Sequence, residues 1–153
     1  MFFKRKSQNE SSEVETGKVI SDLIDRTQAT IQFDPKGHIL TANNNFLAAF
    51  GYRLEEIRGQ HHAMFVDADH AKNTDYTAFW NRLLAGDDIT DQFPRVAKDG
   101  SIIWIQATYA PVLDRENNVV RVIQVASEVT ARRRGLAAIS EGLAALQQGD
   151  LAY

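Results

Sequence analysis

The side chains of this chain that could do chemistry are histidines, carboxylates and amides, and several of them gather near its middle. Gln60-His61-His62-Ala63-Met64-Phe65 sets two histidines side by side, with His70 a little further on. A neutral imidazole nitrogen can ligate haem iron. Adjacent side chains on an extended backbone point to opposite faces, so at most one of His61 and His62 can serve an interior site. Asp67, Asp69, His70 and Asp75 form a carboxylate-rich cluster that could hold a metal ion, although such runs in loops are usually solvated. No HExxH, GxSxG or P-loop pattern accompanies them, and the chain is read as a non-enzyme. Asn43, Asn44, Gln106 and Gln124 carry amides that could hydrogen-bond a small polar ligand or satisfy neighbouring backbone groups. Trp80 and Trp104 could line a pocket, or simply fill core.

Composition narrows the classes. With 153 residues the chain is long enough for one domain with flanking segments and a real core. Cysteine is absent, which removes disulfides, thiolate metal sites and cysteine nucleophiles together. A net charge of −3 without a clustered basic face argues against nucleic-acid binding. No stretch approaches the roughly 18–20 continuous apolar residues of a membrane span. Charged residues begin at Lys4, so the N-terminus does not read as a secretory signal, and a cytoplasmic location is expected.

The elements that must position these residues follow from periodicity. Residues 1–15 are expected to be a disordered polar tail. Val19, Ile20, Leu23 and Ile24 recur at helical spacing and predict an amphipathic cap helix over 16–26. Two short strands, 29–33 and 38–42, flank Asp34-Pro35-Lys36-Gly37, a turn in which proline presets φ and glycine tolerates φ > 0. Short helical segments follow, and Tyr76, Phe79, Trp80 and Leu83 form the apolar stripe of one over 75–84. Three strands, 89–97, 101–113 and 119–129, complete the order, with Ile103, Ile105, Ala107 and Tyr109 alternating onto one face. Strands flanking a helical insert predict an α+β domain with an antiparallel sheet. Beyond it, Leu136, Ile139, Leu143 and Leu146 repeat at spacings of a coiled-coil seam, against a plain alternative in which the helix packs on its own domain.

In this order the chain resembles a PAS domain of the kind found in aerotaxis and other methyl-accepting chemotaxis receptors. The resemblance rests on the hairpin from Asp34 running into Asn43, on Phe50-Gly51-Tyr52 with Leu54-Glu55-Glu56-Ile57-Arg58-Gly59, and on Phe79-Trp80 with Leu83 and Gly86. Lys98-Asp99-Gly100 and Trp104-Ile105 complete it. It covers 27–130 and implies a five-stranded antiparallel sheet with short helices on one face, flanked by amphipathic helices. It departs from the family where Glu128-Val129-Thr130 replaces the usual Asp-x-Thr.

The resemblance also carries expectations about ligands and partners. His62 matches a histidine that helps hold flavin in aerotaxis receptors, so FAD or haem is a possible occupant. His62 would be the metal ligand only if haem is bound, with His61, Trp80, Trp104, Asn43, Gln106 and Gln124 as further pocket candidates. Glu128 and Thr130 would pass a signal into a helix over 131–153, whose Gly149-Asp150-Leu151 end resembles HAMP-like linkers. The expected assembly is a homodimer through the cap helix and the C-terminal coiled coil. It would act on a downstream chemoreceptor signalling domain and kinase complex. A ligand-free dimerisation module is the other reading.

Overall fold

The computed structural model describes residues 2–147, with side chains from residue 9 onward. Its elements run α1 (Phe2–Thr27), β1 (Ala29–Phe33), β2 (Ile39–Ala42), α2 (Asn44–Phe50), α3 (Leu54–Ile57), a 3-10 turn (His62–Phe65), α4 (Ala68–Ala71), α5 (Thr74–Leu84), β3 (Ile89–Val96), β4 (Ile102–Leu113), β5 (Val119–Glu128) and α6 (Thr130–Gln147). The strands form one antiparallel sheet ordered β2-β1-β5-β4-β3. The last strand therefore sits at the centre, between the first and the fourth, and leads directly into α6.

One expectation is corrected at the N-terminus: 2–15 is helical, continuous with the cap helix, instead of a disordered tail. The segment holds no proline, the residue that most strongly breaks a helix. The expected Gly149-Asp150-Leu151 linker end lies outside the described residues.

Alternation along the strands decides what is inside. Ile103, Ile105, Ala107 and Tyr109 on β4 are buried, as are Ile31 and Phe33 on β1 and Val122, Gln124 and Ala126 on β5. Opposite them the helical insert supplies Phe46, Phe50, Ile57, Phe65, Trp80 and Leu83. Phe46 and Phe50 stack at 4.4 Å between centroids and Phe65 meets both edge-on. Full burial of each such side chain is worth about 1.5–3 kcal/mol.

Polar side chains tie the connections together. Asn43 Oδ1 accepts from the amides of Thr30 and Phe46, capping α2, while Asn43 and Asn45 amides donate to the carbonyls of Asp25 and Gln28 at the end of α1. Lys98, in the β3–β4 turn, donates its amide to the Phe50 carbonyl and sets its ammonium 2.7 Å from Glu56. Two separated motif fragments thus meet in space. In the first hairpin, Gly37 adopts φ +88°, and a Cβ there would lie 2.6 Å from His61 Nε2.

Because Asn43 joins three elements, Asn43→Ala should destabilise the domain by about 2 kcal/mol, at the upper end for a lost N-cap. Equilibrium urea unfolding checks this; a change under half that value would mean the cap is redundant.

Candidate functional site

The adjacent histidines separate as alternation requires. His61 lies nearer the surface, with Nε2 2.9 Å from the Lys36 carbonyl, which can only accept, and Nδ1 accepting from the Ala63 amide at 3.0 Å. It therefore caps the 3-10 turn through Nδ1. His62 is 1% exposed. Its Nδ1 lies 2.9 Å from the Tyr76 hydroxyl and its Nε2 3.1 Å from that of Tyr109. On the far side of Tyr109, Arg95 Nη2 donates to the same hydroxyl at 3.1 Å.

This chain has a defined proton order. Arg95 can only donate, so the Tyr109 oxygen accepts from it and its own proton goes to His62 Nε2. His62 then carries its hydrogen on Nδ1 and donates to Tyr76. Burial, followed by the positive charge of Arg95 and by His61, holds the imidazole well below its ordinary pKa. Burial raises Tyr109 against the opposing pull of Arg95. Tyr76 is pushed up to about 12, mainly by burial, against the opposing influence of Trp80 and then of Arg95. Trp80 Nε1 nevertheless completes no hydrogen bond, and with Arg95 Nε it is a buried donor without a partner among the described residues. Both phenols and the imidazole are neutral at pH 7.

The nominated pocket residues divide by face. Gln124 points inward on β5, opposite Ile31 and Tyr109, and is 2% exposed. Trp80 packs edge-on against Phe33 and His62 at the rim of the core. Asn43 is occupied as a cap. Trp104 and Gln106 are corrected: both lie on the outer face, because they share neither parity nor burial with Ile103, Ile105 and Tyr109. The Arg133 guanidinium of α6 sits over the Trp104 ring at 3.6 Å. Asp67, Asp69, His70 and Asp75 do not converge on a metal position; Asp67 caps α4 instead.

Thr130 and Glu128 have different fates at the junction. Thr130 Oγ1 accepts the Trp104 amide at 2.9 Å and is buried. Glu128, paired with Ile105 at the end of β5, is exposed and makes no ion pair among the described residues. Arg133 also donates to Gln92 on β3. Leu136, Ile139, Leu143 and Leu146 are all more than half exposed.

Sequence reasoning missed Arg95, Tyr76 and Tyr109 as a polar cluster. The available signal was parity: Arg95 falls on the same side of β3 as Ile89 and Phe93, so a charge was directed into the core. A cavity of about 300 Å³ borders this cluster between α5 and β3. A larger recess of about 520 Å³ lies by the end of α2 and the β3–β4 turn, lined by Ala48, Ala49, Phe50, Gly51, Ala97, Lys98, Asp99 and Ser101, and it contains none of His62, Tyr76, Arg95 and Tyr109. The smaller one borders the chemistry.

Haem and flavin meet an arrangement that does not suit them. Both His62 nitrogens are engaged, leaving none for iron, and two of the amide and indole groups expected around a flavin face away from the interior. The cavity stands at the lower end of the range for small-molecule sites.

With fold and site described, the kinship is plain. A family model for the PAS fold matches residues 25–134, and the chain belongs to that family. It is 39% identical over 108 residues to the biofilm dispersion protein BdlA of Pseudomonas aeruginosa, covering 71% of this chain and 26% of that protein. It is 27% identical to the aerotaxis receptor of Escherichia coli over 71% of this chain and 21% of the receptor. The chain thus spans about a quarter of these relatives' length. A light-oxygen-voltage domain structure from work on a flavin analogue superposes with a TM-score of 0.64 at 25% identity, covering 82% of this chain and 94% of that one. No described helix is long and apolar enough to cross a membrane.

The lowered His62 pKa has a testable sign. Below about pH 6.5 the unfolded histidine takes up a proton that the native one refuses, so stability falls as pH drops from there toward the depressed native value. The loss approaches about 1.4 kcal/mol per pH unit. Urea unfolding of the wild type and of His62→Phe between pH 7 and 5 should give a flatter profile in the variant. Parallel profiles would mean His62 is not the group responsible.

Proposed function

We propose that this chain is the sensory part of a cytoplasmic chemoreceptor-like transducer, which holds a small ligand beside the His62–Tyr109–Arg95 network and relays its presence through α6. The observation that carries this reading is the attachment of α6. Its first turn is bound to the outer faces of β3 and β4 through Gln92, Trp104 and Thr130. The inner faces of those strands present Phe93, Arg95 and Tyr109. A ligand that shifts β3 against β4 would therefore strain the root of the output helix directly. Such a shift changes output only if two arrangements of that helix lie close in energy.

Two further features support a homodimer. The apolar stripe Val19, Ile20 and Leu23 on α1 and the seam on α6 are both exposed in the single chain. Pairing two copies along them would cover both and present α6 as a coiled coil to a downstream signalling domain and its kinase complex. The relatedness to BdlA and the aerotaxis receptor supports this placement. Flavin and haem are the competing occupants, and a ligand-free dimerisation module is the remaining reading.

The absorption spectrum of protein purified from cells, and of protein incubated with haem or FAD, tests the occupant. We expect a colourless protein that takes up neither; a Soret band or paired flavin bands would overturn the small-ligand choice. For the helix, Leu143→Glu should weaken the dimer at least about tenfold, since it sets two carboxylates in an apolar seam. Sedimentation equilibrium reads this, and an unchanged dimer would sink the role of the seam.

A further inference from the structure

Arg95 is 4% exposed, yet no carboxylate lies within ion-pairing distance of it among the described residues. Its protein partners are neutral. Nη1 donates to the Pro94 carbonyl at 2.9 Å and Nη2 to the Tyr109 hydroxyl. Its carbon lies 4.8 Å from the Phe93 ring centroid and 5.9 Å from that of Tyr109. Aromatic faces offset part of the loss of hydration. A guanidinium has five N–H donors, so three remain uncommitted, including the buried Nε–H. A buried charge is ordinarily paired, and one partner of such a pair left alone is costly. The cation has been brought inside without its anion.

The cavity that Arg95 lines has the complementary features. Tyr76, Phe79 and Phe93 give it an apolar wall, and Asp75 and His70 complete its lining beside them. A guanidinium fork matches the planar geometry of a carboxylate and can bind it through two parallel hydrogen bonds. The aromatic side chains suit a flat or branched hydrocarbon body. The Asp75 carboxylate disfavours a second negative charge on the ligand. A volume of about 300 Å³ admits a small acid and little more.

We propose that Arg95 and the aromatic wall between α5 and β3 form a binding site for a small monocarboxylate with an apolar body. The assignment deepens the sensory reading and rests on its ligand-holding chamber. It also gives that chamber a route outward, because Gln92, on the other face of the same strand, holds Arg133 of α6.

The test uses the full 153-residue chain with benzoate as the anionic probe and benzamide as its uncharged counterpart. Benzoate should raise Tm and shift the amide resonances of β3 and α5; benzamide should do neither. Arg95→Met should weaken benzoate binding by about tenfold to hundredfold, the loss expected for charge-assisted hydrogen bonds. Without ligand it should melt close to the wild-type temperature, because removing the uncompensated buried charge offsets the donor lost to Tyr109. If Arg95 is only structural, the variant melts several degrees lower and the proposal falls. It falls equally if benzamide matches benzoate or if benzoate has no effect, comparisons that need no variant. A coloured protein would overturn the small-ligand chamber itself. A colourless one indifferent to benzoate would overturn only the carboxylate assignment.

Discussion

Tyr109 sits near the middle of the longest strand with none of its surface exposed, so its hydroxyl must find both a donor and an acceptor inside the protein. Arg95 supplies the first and His62 the second. This one requirement sets the tautomer of His62, and through it the position of Tyr76 and the helix that carries it. The same phenol ring packs edge-on against Phe79 at 4.8 Å and Phe93 at 5.4 Å. The polar order of the interior and the seating of α5 on the sheet are therefore one constraint. Moving either would leave buried donors unmatched, each costing about 1–3 kcal/mol.

The sheet order gives that constraint its reach. β5 is inserted between β1 and β4, so the strand that continues into α6 is paired on both sides over Val122–Ala126. The junction repeats this pattern in miniature: Val129 donates its amide to the Trp104 carbonyl, and Thr130 accepts from the Trp104 amide. The usual aspartate of this junction is a glutamate here, and the attachment holds without an ion pair at that position. The backbone of Trp104 and the Thr130 hydroxyl carry it.

Much of the architecture was legible in the residues themselves. Alternation on β4, the Asp34–Gly37 turn and the 3–4 spacing on α5 each follow from local geometry, and the family motifs placed them in order. The site was legible only in part. His61 and His62 were correctly expected to diverge, yet Trp104 and Gln106 were nominated for the interior although the parity of Ile103 and Tyr109 already excluded them. Arg95 escaped notice because an arginine in a strand is usually solvated. Its burial depends on partners that lie fourteen residues away on the neighbouring strand, at Tyr109. The helical start of α1 was missed for the opposite reason: polar composition suggests disorder, while nothing in it forbids a helix.

The stack of Arg133 on Trp104 has a mechanical consequence. It secures α6 within its first turn, and every side chain of the described helix beyond residue 138 except Ala145, which is partly covered, is exposed. At about 1.5 Å per residue the eighteen residues of α6 make a rod of about 27 Å, pivoted at one end. A rotation of about 10° at that pivot carries the far end about 5 Å sideways, close to one helical turn in size. The geometry multiplies small displacements of a rigid sheet, so the interior need rearrange by only a fraction of an ångström per contact for the tip to change its neighbours.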